Sequence, residues 1–105
     1  MFIQEDMNLM YSLKTLAGVT EINETFGNRK GIEFNFNNSL KSNYCKLVEY
    51  NVNNQEMFII QLRKQGTDYN GNEYDKLVFE SVIKEQEFKD IFEKQTGIYI
   101  SALEC

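Results

Sequence analysis

Two short polar pairs, Asn53-Asn54 and Asn70-Gly71, constrain this chain more than any other feature. Each lies between stretches of alternating apolar and polar residues, and each is a pair that tolerates the positive φ of a tight hairpin turn. Taken as two-residue turns, they fix two strand registers that can be checked against one another. Paired positions sum to 107 about Asn53-Asn54 and to 141 about Asn70-Gly71. The second register sets Leu62 opposite Phe79, Lys64 opposite Leu77 and Phe58 opposite Ile83. The first adds Cys45 and Leu47 to the face that already holds Phe58, Ile60, Leu62, Leu77, Phe79 and Ile83. Because side chains alternate across a sheet, two turns that choose the same apolar face imply a core face.

Strands are therefore expected over Tyr44 to Val52, Met57 to Lys64 and Tyr74 to Ile83. A further strand is expected over Ile32 to Phe36, where Ile32, Phe34 and Phe36 alternate with polar residues. A polar loop, Asn38 to Asn43, separates it from the next. At the C-terminal end the period becomes helical. Lys84 to Thr96 places Phe88, Ile91 and Phe92 on one stripe, with Glu85 and Glu87 in the first turn, Lys94 in the last and Gly97 as a stop. Ile98-Tyr99-Ile100 reads as a last short strand. Near the N-terminus, Leu9, Leu13 and Leu16 recur at helical spacing between a candidate cap, Asp6, and a candidate stop, Gly18, with a strand over Leu9 to Leu13 as the competing reading. A second short segment, Thr20 to Phe26, follows in this weakly helical region. The expected fold is one α+β domain, residues 1–105. It has an antiparallel meander of four or five strands, a C-terminal helix on one face and short N-terminal helical segments.

At 105 residues the chain supports one modest core, and 42% hydrophobic with 13% aromatic residues is too apolar for an unfolded chain. Eleven basic residues against 16 acidic ones leave a net charge of -5, which opposes direct binding to nucleic acid or to anionic membranes. No run reaches the roughly 18 to 20 apolar residues of a membrane span. Glu5 and Asp6 stand where a secretory leader would be basic, so a cytoplasmic protein is expected. The chain has no His, and so lacks the commonest general base and metal ligand. Cys45 and Cys105 are too far apart in sequence for a CxxC motif, and a thiol at Cys105 has no His to activate it. Asp68 to Glu73 begins like a calcium loop, but Gly71 comes two places early and Phe79 stands where a bidentate Glu belongs. No cofactor, metal or catalytic group is expected.

The other sheet face holds Tyr44, Lys46, Val48, Tyr50, Met57, Ile59, Gln61, Arg63, Val78, Glu80 and Val82. It is too apolar for a face left in water and too polar for a dry core. The first reading is that the N-terminal helix covers it. The second is an exposed surface of the composition found at protein interfaces, with Tyr44, Tyr50, Met57 and Arg63 as candidate partner-binding residues. Charge is uneven as well. Residues 1–67 hold seven acids and seven bases, and residues 68–105 hold nine and four, so Glu87, Asp90 and Glu93 are candidates for meeting a basic partner.

The expected function is that of a small acidic, non-enzymatic binding protein that inhibits a partner by occupying its surface. That partner would be basic, and a nucleic-acid-binding nuclease fits. Twelve Asn and nine Lys against two Ala indicate an AT-rich genome. In size and composition, without a shared motif, the chain is like phage and mobile-element proteins that block host defence, anti-CRISPR proteins among them. Two alternatives share the composition: a bacterial immunity protein that neutralises a toxin, and a phage structural or assembly subunit, which predicts homo-oligomers.

Overall fold

The computed structural model describes residues 1–25 and 27–100. Its elements are α1 (Phe2–Glu5), α2 (Met7–Leu16), β1 (Asn23–Thr25), β2 (Gly31–Asn35), β3 (Tyr44–Val52), β4 (Gln55–Thr67), β5 (Glu73–Ile83), a 3₁₀ turn (Glu85–Glu87) and α3 (Phe88–Thr96). The five strands form one antiparallel sheet in the order β1-β2-β3-β4-β5, an α+β meander.

The helix expected between Asp6 and Gly18 and the C-terminal helix are present, and their ends show why. Asp6 accepts a hydrogen bond from the Leu9 amide at 3.1 Å, capping α2, and Gly18 leaves the helix at φ +67°. Gly97 ends α3 in the left-handed region at φ +80°. Upstream of α3, the Lys84 amide donates to the Glu87 carboxylate at 2.8 Å.

The Asn53-Asn54 turn has positive φ at both residues, +49° and +66°, and β3 pairs with β4 from Tyr44↔Arg63 to Val52↔Gln55 in the expected register. At Asn70-Gly71 the expectation needs correction. Only Gly71 has positive φ, +84°, and the Asp68 carbonyl accepts from the Gly71 amide at 3.0 Å while the Asp68 amide donates to the Asn72 carbonyl at 2.9 Å. This is a three-residue loop, a β-turn followed by a left-handed Gly. It shifts the distal ladder by one place, so that Lys64 faces Lys76 rather than Leu77. A bulge then leaves Val78 unpaired between Leu62↔Phe79 and Arg63↔Leu77. The two departures cancel: Leu62↔Phe79 and Phe58↔Ile83 stand where a two-residue turn would have put them. Leu77 therefore leaves the expected core face and is 50% exposed.

Two other expectations fail. Thr20 to Phe26 is not helical. After Gly18 ends α2, Asn23–Thr25 pairs with the edge of β2 and supplies the fifth strand; Phe26 lies outside the described residues. Ile98–Ile100 is not a strand. It follows the α3 stop on the helical side of the sheet, where the Ile98 amide bonds the Thr96 hydroxyl at 3.2 Å and the Ile100 amide bonds the Ile98 carbonyl at 3.1 Å. Ile98 and Ile100 are buried there.

One core lies between the sheet and the helical layer. The sheet contributes Ile32, Phe34, Cys45, Leu47, Phe58, Ile60, Leu62 and Ile83; the helices contribute Ile3, Leu9, Leu13, Phe88 and Phe92. Phe2 sits edge-on to Phe58 and Phe88, at 5.0 and 5.8 Å between centroids, and Phe92 contacts Phe36 and Phe88 at 5.2 and 5.5 Å. The N-terminal helices thus pack on the same face as α3.

The 36–43 connection ties the end of this layer together. Asn38 donates to the Leu16 carbonyl at 2.8 Å and Ser39 to the Thr96 carbonyl at 2.8 Å, so one loop bonds the C-terminal turns of α2 and α3. Asn43 then extends the ladder ahead of β3. Its side-chain amide donates to the Gln65 carbonyl at 2.6 Å and its side-chain oxygen accepts from the Gln65 amide at 2.8 Å.

Because Gly71 alone is left-handed, Gly71→Ala should destabilise by about 1–2 kcal/mol. Asn70→Val should stay within about 0.5 kcal/mol of the parent. Denaturant melts of the two variants check the turn, and equal losses would restore the two-residue reading.

Candidate functional site

The N-terminal helix does not cover the second sheet face. Tyr44, Lys46, Val48, Tyr50, Met57, Ile59, Gln61 and Arg63 are all half-buried, while Val82 is 46% exposed. Among the described residues, the shortest dimension, 22 Å, holds two layers of about 10 Å each and no third. The reason the helix packs elsewhere lies in its own stripe. Leu9, Leu13 and Ala17 are apolar and meet the face that holds Ile32, Phe34, Cys45, Leu47, Phe58, Ile60, Leu62 and Ile83, which excludes water more completely than the mixed one.

The strand registers arrange the open face in rows. One row is apolar: Val48, Ile59 and Val82 lie side by side, with the Tyr50↔Met57 pair next to it. The adjacent row is polar, running Glu33, Lys46, Gln61, Glu80 across four strands. Beyond it, Tyr44, Arg63 and Leu77 form a third.

The polar groups other than Lys46 are bonded to neighbours on the face. The Tyr44 hydroxyl donates to the Glu33 carboxylate, and the Gln61 amide donates to Glu80. Arg63 forms an ion pair with Asp75 at 3.1 Å, and Gln65 donates to the other oxygen of that carboxylate at 3.1 Å. The Arg29 guanidinium lies 4.6 Å from the centre of the Tyr50 ring, a cation–π contact that holds the ring in place. Partial burial first, then the hydrogen bond to Glu33 and the charge of that carboxylate, push the Tyr44 hydroxyl well above the usual phenol range. It stays protonated and donates.

The candidate residues divide into two groups. Tyr44, Tyr50, Met57 and Arg63 come together on the open face as two cross-strand pairs. Glu87 closes the 3₁₀ turn, and Asp90 and Glu93 lie on α3, in the layer on the opposite side of the sheet. A flat partner surface cannot touch both groups at once.

Comparison with protein-family models, curated proteins and solved structures finds no match.

Clefts lie at the margins of the fold. One of about 240 Å³ is lined by Met1, Gln4, Glu24, Thr25, Lys30 and Glu49, and another of about 480 Å³ by Phe2, Asp6, Glu85, Gln86 and Lys89 among others. Among the described residues no group of three or more His, Cys, Asp or Glu gathers as metal ligands, and no helix is long and apolar enough to cross a membrane. Asp68, the first residue of the calcium-like stretch, spends its carboxylate on the Asn70 and Asn72 amides, both at 2.9 Å. That is turn chemistry. Cys45 is fully buried, and Cys105 lies outside the described residues.

Sequence reading missed Arg29, Glu33 and Asp75 as parts of this face. The alternation of β2 carried a signal for Glu33. Asp75 was hidden by the one-place shift of the distal ladder.

Proposed function

We propose that the protein is a non-enzymatic binding module that occupies the surface of a protein partner with its open sheet face. The observation that carries this reading is the apolar row Val48, Ile59 and Val82, with Tyr50 and Met57 beside it, which no element among the described residues covers. A solvated antiparallel face ordinarily alternates to polar residues. Here Glu33, Gln61, Glu80 and Arg63 are each bonded to a neighbour on the face, so covering them strips little water from unpaired groups, and the Lys46 ammonium is left for a partner to meet. An inhibitor acting on a defence nuclease, an immunity protein acting on a toxin, and an assembly subunit would all use such a face.

Tyr50 is the expected anchor, being aromatic and held by Arg29. Truncating an anchor of this kind costs about 2 kcal/mol or more, whereas a rim charge is worth about 0.2–1 kcal/mol. The test is affinity capture from bacterial lysate followed by binding kinetics on the captured protein. Tyr50→Ala should raise its dissociation rate by about thirtyfold at any salt concentration. A Glu87→Lys, Glu93→Lys variant, altered on the opposite side of the sheet, should leave that rate unchanged. The reverse pattern would place the interface on α3.

A further inference from the structure

We infer that, in the isolated protein, the open face is covered by the same face of a second copy, giving a homodimer with the two sheets inside and the helices outside. This rests on the reading of that face as a binding surface and names its occupant when no other partner is present.

Charge distinguishes this surface from the rest of the molecule. The chain carries -5 overall, but on the open face Glu33, Asp75 and Glu80 are balanced by Arg29, Lys46 and Arg63. A second copy, itself acidic, meets no net repulsion here. The helical side carries Glu5, Asp6, Glu85, Glu87, Asp90 and Glu93 against Lys14, Lys84, Lys89 and Lys94, so a second copy would meet a net negative surface there, where like charges oppose association.

The lateral route is closed as well. The sheet has two edges: β1 is only three residues long and carries Glu24, and β5 is interrupted by the bulge at Val78 and punctuated by Glu73, Asp75, Lys76 and Glu80. Bulges and charges of this kind blunt strand-to-strand pairing. What remains is face-to-face packing, at the roughly 10 Å spacing of stacked sheets.

Area sets the strength. With strands about 4.8 Å apart and residues about 3.4 Å along them, three residues on β1, five on β2 and about seven on each of β3, β4 and β5 cover roughly 470 Å², which is on the order of 950 Å² counted on both copies. A stable specific interface begins near about 1,000 Å². The dimer should therefore form and dissociate with concentration.

Sedimentation velocity over a dilution series tests this. The wild-type mass should rise with concentration from 12.4 kDa to twice that value. Ile59→Glu, at the centre of the apolar row, should weaken association by at least about a hundredfold, since both copies carry the buried charge. Val82→Glu, at a 46% exposed position that tolerates charge in the monomer, should do the same should Ile59→Glu fail to fold. Leu40→Glu, at a 98% exposed position on the 36–43 loop, should dimerise like the wild type. A wild type that stays monomeric to millimolar concentration overturns the inference, as does a Val82→Glu protein that dimerises normally. Should the wild type stay monomeric while Tyr50→Ala still weakens partner capture, the inference alone fails. Should association depend on Val82 while partner capture ignores Tyr50, the reading of heterologous binding fails instead.

Discussion

Replacing Phe92 with alanine should cost about 3–5 kcal/mol, a large share of the roughly 5–15 kcal/mol that holds a domain of this kind together. Phe92 is fully buried, and its ring sits within 6.5 Å of the rings of Phe34, Phe36 and Phe88. Removing it opens a cavity at the junction of β2, the 36–43 loop and α3. Phe79 gives the contrast. It lies on the same sheet face but next to the bulge and only half-buried, so Phe79→Ala should cost about 1–2 kcal/mol. Chemical denaturation of both variants tests the assignment of the core to the helical side. Equal losses would mean that the edge by Val78 is as well packed as the centre.

Alkaline pH should destabilise the protein through Cys45. The side chain is fully buried, and burial pushes its thiol far above the usual range. The unfolded chain releases the same proton near pH 8.5. The folded state therefore holds the proton when the unfolded state has lost it. Stability is intact below about pH 8.5 and falls by up to about 1.4 kcal/mol for each pH unit above it. Over two units that is up to about 2.7 kcal/mol. Tyr44, shifted in the same direction, adds a second decline starting near pH 10. Cys45→Val fills nearly the same volume without the thiol, so its unfolding free energy should be flat from pH 8 to 10. Parallel pH profiles for the two proteins would contradict the assignment.

How much of this was legible in the sequence depends on whether a turn or a tertiary choice decided the outcome. The β3–β4 register was readable because Asn53 and Asn54 both accept positive φ and the alternation on either side agrees with that turn. The proximal β4–β5 register was readable only because two local departures cancel. Leu77-Val78-Phe79, three apolar residues in succession, breaks the alternation and marks the bulge, but Asn70-Gly71 alone does not reveal that Asp68 closes a three-residue loop. Leu77 went to the wrong face for that reason. Which sheet face the N-terminal helix covers was not legible at all. Both faces offer apolar side chains, and the choice follows from how completely each excludes water once packed. The candidate face residues Tyr44, Tyr50, Met57 and Arg63 followed from the register and are gathered as it requires. Glu87, Asp90 and Glu93 came from charge density along the chain, which carries no information about the side of the sheet on which they fall.

The measurement that bears most directly on the open face is the reactivity of a thiol placed at its centre. In a Cys105→Ser background, Ile59→Cys is treated in dilute solution with a charged, water-soluble disulfide reagent, and the rate is compared with that of Cys45 on the other side of the sheet. An uncovered face predicts that the thiol at position 59 reacts under native conditions while Cys45 stays silent until denaturant unfolds the chain. A thiol at position 59 that is as silent as Cys45 in the dilute monomer would mean that another element covers this face, and the binding surface would have to lie elsewhere.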